Sequence, residues 1–213
     1  MSNTVPLTVP EAIRSRRTTK RFKPDPIPEA TLKELVALTL AAPSSYNLQP
    51  WRIILVDDPA QKEALAKASW NQAQVATAPV TAIFAASIHG GEKTMAETFK
   101  IALAKGAWTE KTIELFKNII PAFQNGLGEK RREYVIKDAM IAATHMALAA
   151  ESLGLDSCFM NGWIEEDVKA VIGAKGDPDI VIALLLPIGY GETKYVFAGR
   201  LPESITVFRN RIG

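Results

Sequence analysis

Seven consecutive apolar residues, Ile180-Val181-Ile182-Ala183-Leu184-Leu185-Leu186, constrain this chain more than any other segment. A strand with one wet face alternates apolar and polar side chains. A run that does not alternate buries both faces, so this one is expected in the middle of a sheet. Two further β-rich runs, residues 51–56 and 80–87, are expected as strands, with a short one at 158–160. Helical spacing and end signals predict helices from Pro10 towards the pair Thr18-Thr19 and over 28–41, 60–68, 131–153 and 165–172. Residues 95–123 read as two helices, broken near Gly106 and stopped by Pro121. The piece from Phe22 to Pro26 is extended. Helices outnumber strands, and one sheet flanked by helices in an α+β arrangement is the simplest packing.

The chain has 213 residues, 47% hydrophobic and 23% charged, which suits a single domain over 1–213. Its net charge of +2 gives no general nucleic-acid surface. With one cysteine, Cys158, no intrachain disulfide can form. That cysteine and two distant histidines, His89 and His145, make no zinc set of recognised spacing. His145 falls on the apolar side of the long helix 131–153 and reads as a core histidine. No apolar run reaches the roughly 18–20 residues that span a bilayer. Met1 to Pro10 lacks a basic stretch followed by an apolar core, so no secretory signal is expected and the cytoplasm is the default.

Three segments could carry chemistry. The first is Arg14-Ser15-Arg16-Arg17-Thr18-Thr19-Lys20-Arg21-Phe22-Lys23. It is either a solvated helix end that complements the dipole or a phosphate site, where guanidinium groups grip oxygens in bidentate fashion. Lys20 would share a ligand with Arg16 if the helical turn persists. Neither GxGxxG after a strand nor GxxxxGK[ST] competes for that role. The second is Pro43-Ser44-Ser45-Tyr46-Asn47-Leu48-Gln49-Pro50-Trp51, a turn whose amides and hydroxyls suit the rim of a flat heterocycle. The third is Cys158-Phe159-Met160-Asn161-Gly162-Trp163, a turn dipeptide after a strand, where the missing Cβ lets a planar ring approach the backbone.

With Gly154-Leu155-Asp156-Ser157 before the third segment and Gly199-Arg200-Leu201-Pro202 near the end, these motifs lie in one order over nearly the whole chain. In that order they resemble the nitroreductase family of FMN-dependent oxidoreductases. The resemblance implies an α+β fold with a central mixed or antiparallel sheet, in an interwoven homodimer whose arm, 200–213, wraps the partner. Each FMN would be lined by both subunits. Arg16, Thr18 and Arg200 would take the phosphate, with Arg17 alongside. Lys20 would sit near the pyrimidine end of the flavin, where its charge favours the anionic reduced form. Asn71 would bond the polar edge of the ring, and the backbone N–H groups of Asn161 and Gly162 would face N5 and O4. Pro43, Ser44, Ser45, Asn47 and Gln49 would close over the cofactor from the other subunit. The chain departs from several members at Ala198 and Gln74, where a basic residue is missing, and at Asn161, which is acidic in some.

The resemblance implies a ping-pong exchange in which NADH or NADPH and a small electron acceptor take turns on the flavin. The acceptor would be a nitroaromatic, a quinone or a similar planar compound. The flavin carries the chemistry, so no catalytic side chain is required. Residues 88–125 would form the lid, with Tyr46, Phe99, Trp108 and Phe123, and also Phe116, as candidate substrate walls; these aromatics equally suit plain helix packing. Two alternatives stay open: another substrate on the same flavin fold, such as an enone reductase, dehalogenase or dehydrogenase, and a flavin-binding protein without turnover.

Overall fold

The computed structural model describes residues 6–212. The stretch read for a secretory signal therefore begins in residues 1–5, outside the described residues, as does Gly213 at the end of the arm. Four strands are present among the described residues: β1 Trp51–Val56, β2 Val80–Ser87, β3 Asp156–Ser157 and β4 Ile180–Gly189. They pair antiparallel in the order β1-β2-β4-β3, so the unbroken apolar run lies inside the sheet as its composition requires.

Both sheet faces are covered. Ala82, Phe84 and Ala86 of β2 and Leu184, Leu186 and Ile188 of β4 pack with α2 (Glu29–Leu40) and α7 (Arg131–Ser152). Ile83 and Ala85, with Ile182 and Leu185, face the opposite way, towards α3 (Pro59–Ala68) and α8 (Glu165–Val171). Alternation slips once. Phe84 pairs with Leu184 and Ala85 with Ile182, leaving Ala183 as an extra residue that turns to the Phe84 side. The long helix α7 lies close because the residues it presents are small: Ala139, Ala142, Ala143, Ala147 and Ala150 are all fully buried.

The chain leaves the expected outline at several ends. Helix α1 (Val9–Ser15) opens on a capping box, in which the amide and hydroxyl of Thr8 donate to Glu11 at 2.8 and 2.6 Å. It stops inside the basic run, at Ser15, because Thr18 bridges Ser157 and the Thr19 amide donates to the Ser157 carbonyl at 3.1 Å. The β-branched pair thus extends the sheet edge instead of the helix. Helix α5 (Gly90–Ala104) begins ahead of Met95, since Gly90 and Gly91 are buried contacts and not breakers. A Cβ on Gly90 would lie 2.8 Å from the Ser87 Cβ, and one on Gly91 2.8 Å from the Gln124 Nε2.

Helix α6 (Glu110–Gly126) runs through Pro121, where Ile120 and Gln124, both buried, hold it on either side of the missing N–H. The regular strand expected at 158–160 is instead β3, just before it. Pairing continues from there as single contacts, with the Cys158 amide donating to the Pro187 carbonyl (3.1 Å) and that of Met160 to Leu185 (3.0 Å). A five-residue helix, α4 (Ala73–Thr77), and a four-residue one, α9 (Glu203–Thr206), complete the inventory. Among the described residues no helix is long and apolar enough to cross a membrane.

Candidate functional site: a basic cradle at the sheet edge

Beyond α1 the backbone straightens at Arg16 and runs beside β3. This brings the basic segment against the 158–162 stretch. The Arg16 guanidinium stands 5.8 Å from the centre of the Phe159 ring, and Arg16 and Lys20 both bear electrostatically on Cys158. Burial nevertheless pushes the Cys158 thiol up, outweighing those two charges, so it is a packed side chain and not a thiolate nucleophile. Arg17 folds its Nη1 back onto the carbonyls of Arg14, Ser15 and Arg16 at 2.7–3.0 Å. Its guanidinium also lies 4.7 Å from the Phe197 ring, and that of Arg200 lies 4.9 Å from the same ring. Arg200 is thereby placed next to Arg17 although 183 positions separate them in the sequence.

The turn 69–74 closes the other side. Trp70 and Asn71 are consecutive left-handed residues, with φ of +55° and +53°. The Trp70 indole packs over Gly162, where a Cβ would fall 2.9 Å from its Cζ3. Gln72 Nε2 donates to the Gly162 carbonyl at 3.3 Å, and Gln74 Nε2 to Gln72 Oε1 at 3.0 Å. The structure thus brings Thr18 to Ser157, Arg16 to Phe159, and Arg17 and Arg200 to one ring, while Trp70 and Gln72 meet Gly162; Asn71 adjoins Trp70 and Asn161 adjoins Gly162 in the chain.

The electrostatics of this edge are one-sided. None of Arg14, Arg16, Arg17, Lys20, Arg21, Lys23 and Arg200 forms a salt bridge among the described residues. Arg16 Nη1 and Ser157 Oγ are buried with no hydrogen-bond partner. A guanidinium nitrogen withdrawn from water without an acceptor is costly unless an anion meets it. The donor set suits a phosphate, which FMN carries.

A second polar group, Pro43, Ser44, Ser45, Tyr46, Asn47 and Gln49, forms a tight turn between α2 and β1, with a short 3-10 helix at Ser45–Asn47. Tyr46, Asn47 and Gln49 are left-handed (φ +51°, +55° and +48°). Ser44 Oγ accepts from the Gln49 amide at 2.9 Å, and Gln49 Nε2 donates to the backbone and side-chain oxygens of Asn47, each at 3.1 Å. This turn rests on α6 and α7. The Tyr46 ring makes edge contacts with Phe116 at 5.6 Å and Phe123 at 5.9 Å, Trp108 joins Phe116 to Phe99, and Phe123 touches Tyr134.

A model of the nitroreductase family matches residues 13–190. The chain belongs to that family. It is 33% identical over 211 residues to the NADH dehydrogenase of Thermus thermophilus, a match covering 98% of this chain and all of that protein. It is 34% identical over 182 residues to a 5,6-dimethylbenzimidazole synthase of Rhodobacter capsulatus, covering 84% and 82% of the two chains. A crystallised Staphylococcus epidermidis protein, assigned as an NAD(P)H:FMN oxidoreductase, superposes with a TM-score of 0.89 at 25% identity over 98% of this chain and 99% of that one. The fold is the nitroreductase fold, and the chain is an oxidoreductase of the nitroreductase type.

Within this chain some expected residues lie elsewhere. Phe99 is 5% exposed and packs with Leu48 and Ile120, whereas Phe123 is 41% exposed. His145 is no core residue. It is exposed on α7 beside Ile141, whose carbonyl lies 3.0 Å from its Nδ1; the buried stripe passes through Ala142, Ala143 and Met146 instead. Sequence reasoning also missed Trp70, whose only signal is a tryptophan directly before Asn71. It missed Asp138 as well, though an acidic residue in step with Val135 and Ala142 on an apolar stripe is a visible anomaly. Asp138 is buried, and burial pushes its carboxyl above the usual range, only partly offset by hydrogen bonds from Ser45.

Proposed function

We propose that this nitroreductase binds one FMN per subunit in a homodimer and passes electrons from NADH or NADPH to nitroaromatics, quinones or similar small planar acceptors by ping-pong exchange. The observation that carries the reading is the buried, partnerless Arg16 Nη1 in a basic segment that forms no salt bridge among the described residues, beside Phe159. Arg16, Thr18 and Arg200, with Arg17 alongside, would hold the phosphate, and Lys20 and Asn71 the polar edge of the ring. The N–H groups of Asn161 and Gly162 would orient its central part. Bound FMN supplies a centre that takes a hydride from a nicotinamide and returns the electrons to an acceptor. Tyr46, Trp108 and Phe123 would wall the acceptor's place, with Phe99 packed behind them. The S. epidermidis protein's assignment to FMN and the T. thermophilus relative's to NADH support cofactor and donor.

Two surfaces support the homodimer. Val9, Ile13, Leu38, Leu40 and Ile141 expose apolar side chains on α1, α2 and α7, which pack side by side. Residues 196–212 are exposed throughout and carry Val196, Leu201, Ile205, Val207, Phe208 and Ile212. A second subunit would bury both and bring its own turn 43–49 over the cofactor held by the first.

The deciding experiment is the visible spectrum of the purified protein before and after anaerobic NADPH and NADH. Flavin bands that bleach, then return on adding a quinone, are expected. Protein that is colourless and takes up no added FMN would refute the reading. The 34% identity to 5,6-dimethylbenzimidazole synthase favours a second reading, the same cofactor with a different substrate. Bound FMN that neither nicotinamide bleaches would select it.

A further inference from the structure

We propose that Asp138 is a positioning residue, its buried carboxyl holding the cofactor-covering turn 44–49 in shape through Ser45. The inference rests on the FMN reading above, which places that turn against the cofactor.

Three left-handed, non-glycine residues within four positions are strained, and such a turn relaxes unless neighbours hold it. The hydrogen bonds from Gln49 are local to the turn. Three others reach outside it. Thr94 Oγ1 of α5 donates to the Leu48 carbonyl at 2.9 Å, and Asp138 Oδ1 accepts from the Ser45 amide at 3.3 Å and the Ser45 hydroxyl at 3.4 Å. The Asp138 contact spans 93 positions and fastens the turn at the residue directly before Tyr46.

Packing alone does not account for a carboxyl here. Asp138 is 4% exposed on the face of α7 that otherwise buries alanine, valine and methionine. Its Oδ2 is buried without a partner, and no Lys, Arg or His forms a salt bridge with it among the described residues. An apolar side chain of similar size would cost the fold less. One turn earlier on the same helix, the Tyr134 ring meets Phe123 at 5.6 Å. The turn is thus held from α7 by the Asp138 carboxyl and from α6 by aromatic rings. Asp138 supplies the acceptor on which that arrangement depends.

The test compares Asp138→Asn and Asp138→Leu with the unaltered protein, reading the FMN dissociation constant by flavin fluorescence and the Tm without added cofactor. Asparagine keeps an oxygen for Ser45 and is expected to bind FMN within about twofold of the unaltered protein. Leucine removes the acceptor and is expected to weaken FMN binding about tenfold with no fall in Tm. Equal FMN affinity in D138L overturns the proposal, and so does a D138N as weak as D138L. An unaltered protein that binds no FMN defeats the cofactor reading instead. Should D138L not fold, Asp138→Ala is read by the same criteria.

Discussion

Replacing Asp179 with asparagine tests whether one buried-edge carboxylate pins helix α5 to the sheet. Asp179 precedes β4 and gathers three donors: the Ser87 hydroxyl at 2.5 Å, the His89 amide at 2.7 Å and the Lys93 ammonium at 2.7 Å. Partial burial alone would raise its pKa. The hydrogen bonds from Lys93, Ser87 and His89, with the Lys93 charge, outweigh that and hold it at about 2, against an ordinary 3.8. Its side chain is 15% exposed, so the pairing is not a freely screened surface contact. A depression of that size is worth about 2 kcal/mol of stability at neutral pH.

The folded pKa lies below the unfolded one. The contribution is therefore complete above the unfolded value and is lost as pH falls from about 4 towards 2. At pH 3 roughly half survives. Asp179→Asn should lower the Tm by roughly 4–8 °C at pH 7. In urea titrations at fixed protein concentration, the gap between the two proteins should shrink from about 2 kcal/mol at pH 7 to about 1 at pH 3. A gap of the same size at both pH values would refute the reasoning, because the loss would then come from the altered shape and not from the ionised oxygen.

Arg16→Ala should weaken FMN binding by about tenfold to a hundredfold, the worth of charge-assisted hydrogen bonds, as read by fluorescence titration; unchanged affinity would remove Arg16 from the phosphate site. Gly162→Ala places a methyl 2.9 Å from the Trp70 ring, and the displaced indole should cost about 1–3 kcal/mol in urea denaturation and shift the flavin absorption bands. Phe123→Ala should raise KM for a planar acceptor by up to about tenfold while leaving FMN affinity unchanged, which steady-state kinetics with a quinone will show.

The sheet was legible because its strands are apolar enough to exclude other readings: β1 and β2 fall on the runs at 51–56 and 80–87. Helix ends were legible where a local cap decides them, as at Asp58, which accepts from the Gln61 amide. They were not where a distant partner decides. Thr18 and Thr19 leave the helix because Ser157 offers a sheet edge 139 positions away from Thr18, and no window around Arg16 contains that edge. Gly90, Gly91 and Pro121 carry breaker chemistry, yet burial of Gln124 and its neighbours overrides it. The basic segment was legible as charge. That the Arg16 Nη1 would be withdrawn from water and left without a partner was not, since burial is a property of the assembled fold.

The departure at Gln74 takes a different meaning once the fold is known. Counted as charge, an uncharged residue there only subtracts from the positive field around the proposed cofactor. Gln74 is, however, 6% exposed, and it reaches the site through Gln72, whose own amide holds the Gly162 carbonyl. Fixing that carbonyl also fixes the plane of the following peptide, and the Gly162 backbone is where the ring would be oriented. Gln74 therefore acts on geometry and not on field. With no charge to spare at that side, the task of balancing the proposed anionic cofactor would fall to Arg16, Arg17, Lys20 and Arg200, all of them free of carboxylate partners among the described residues.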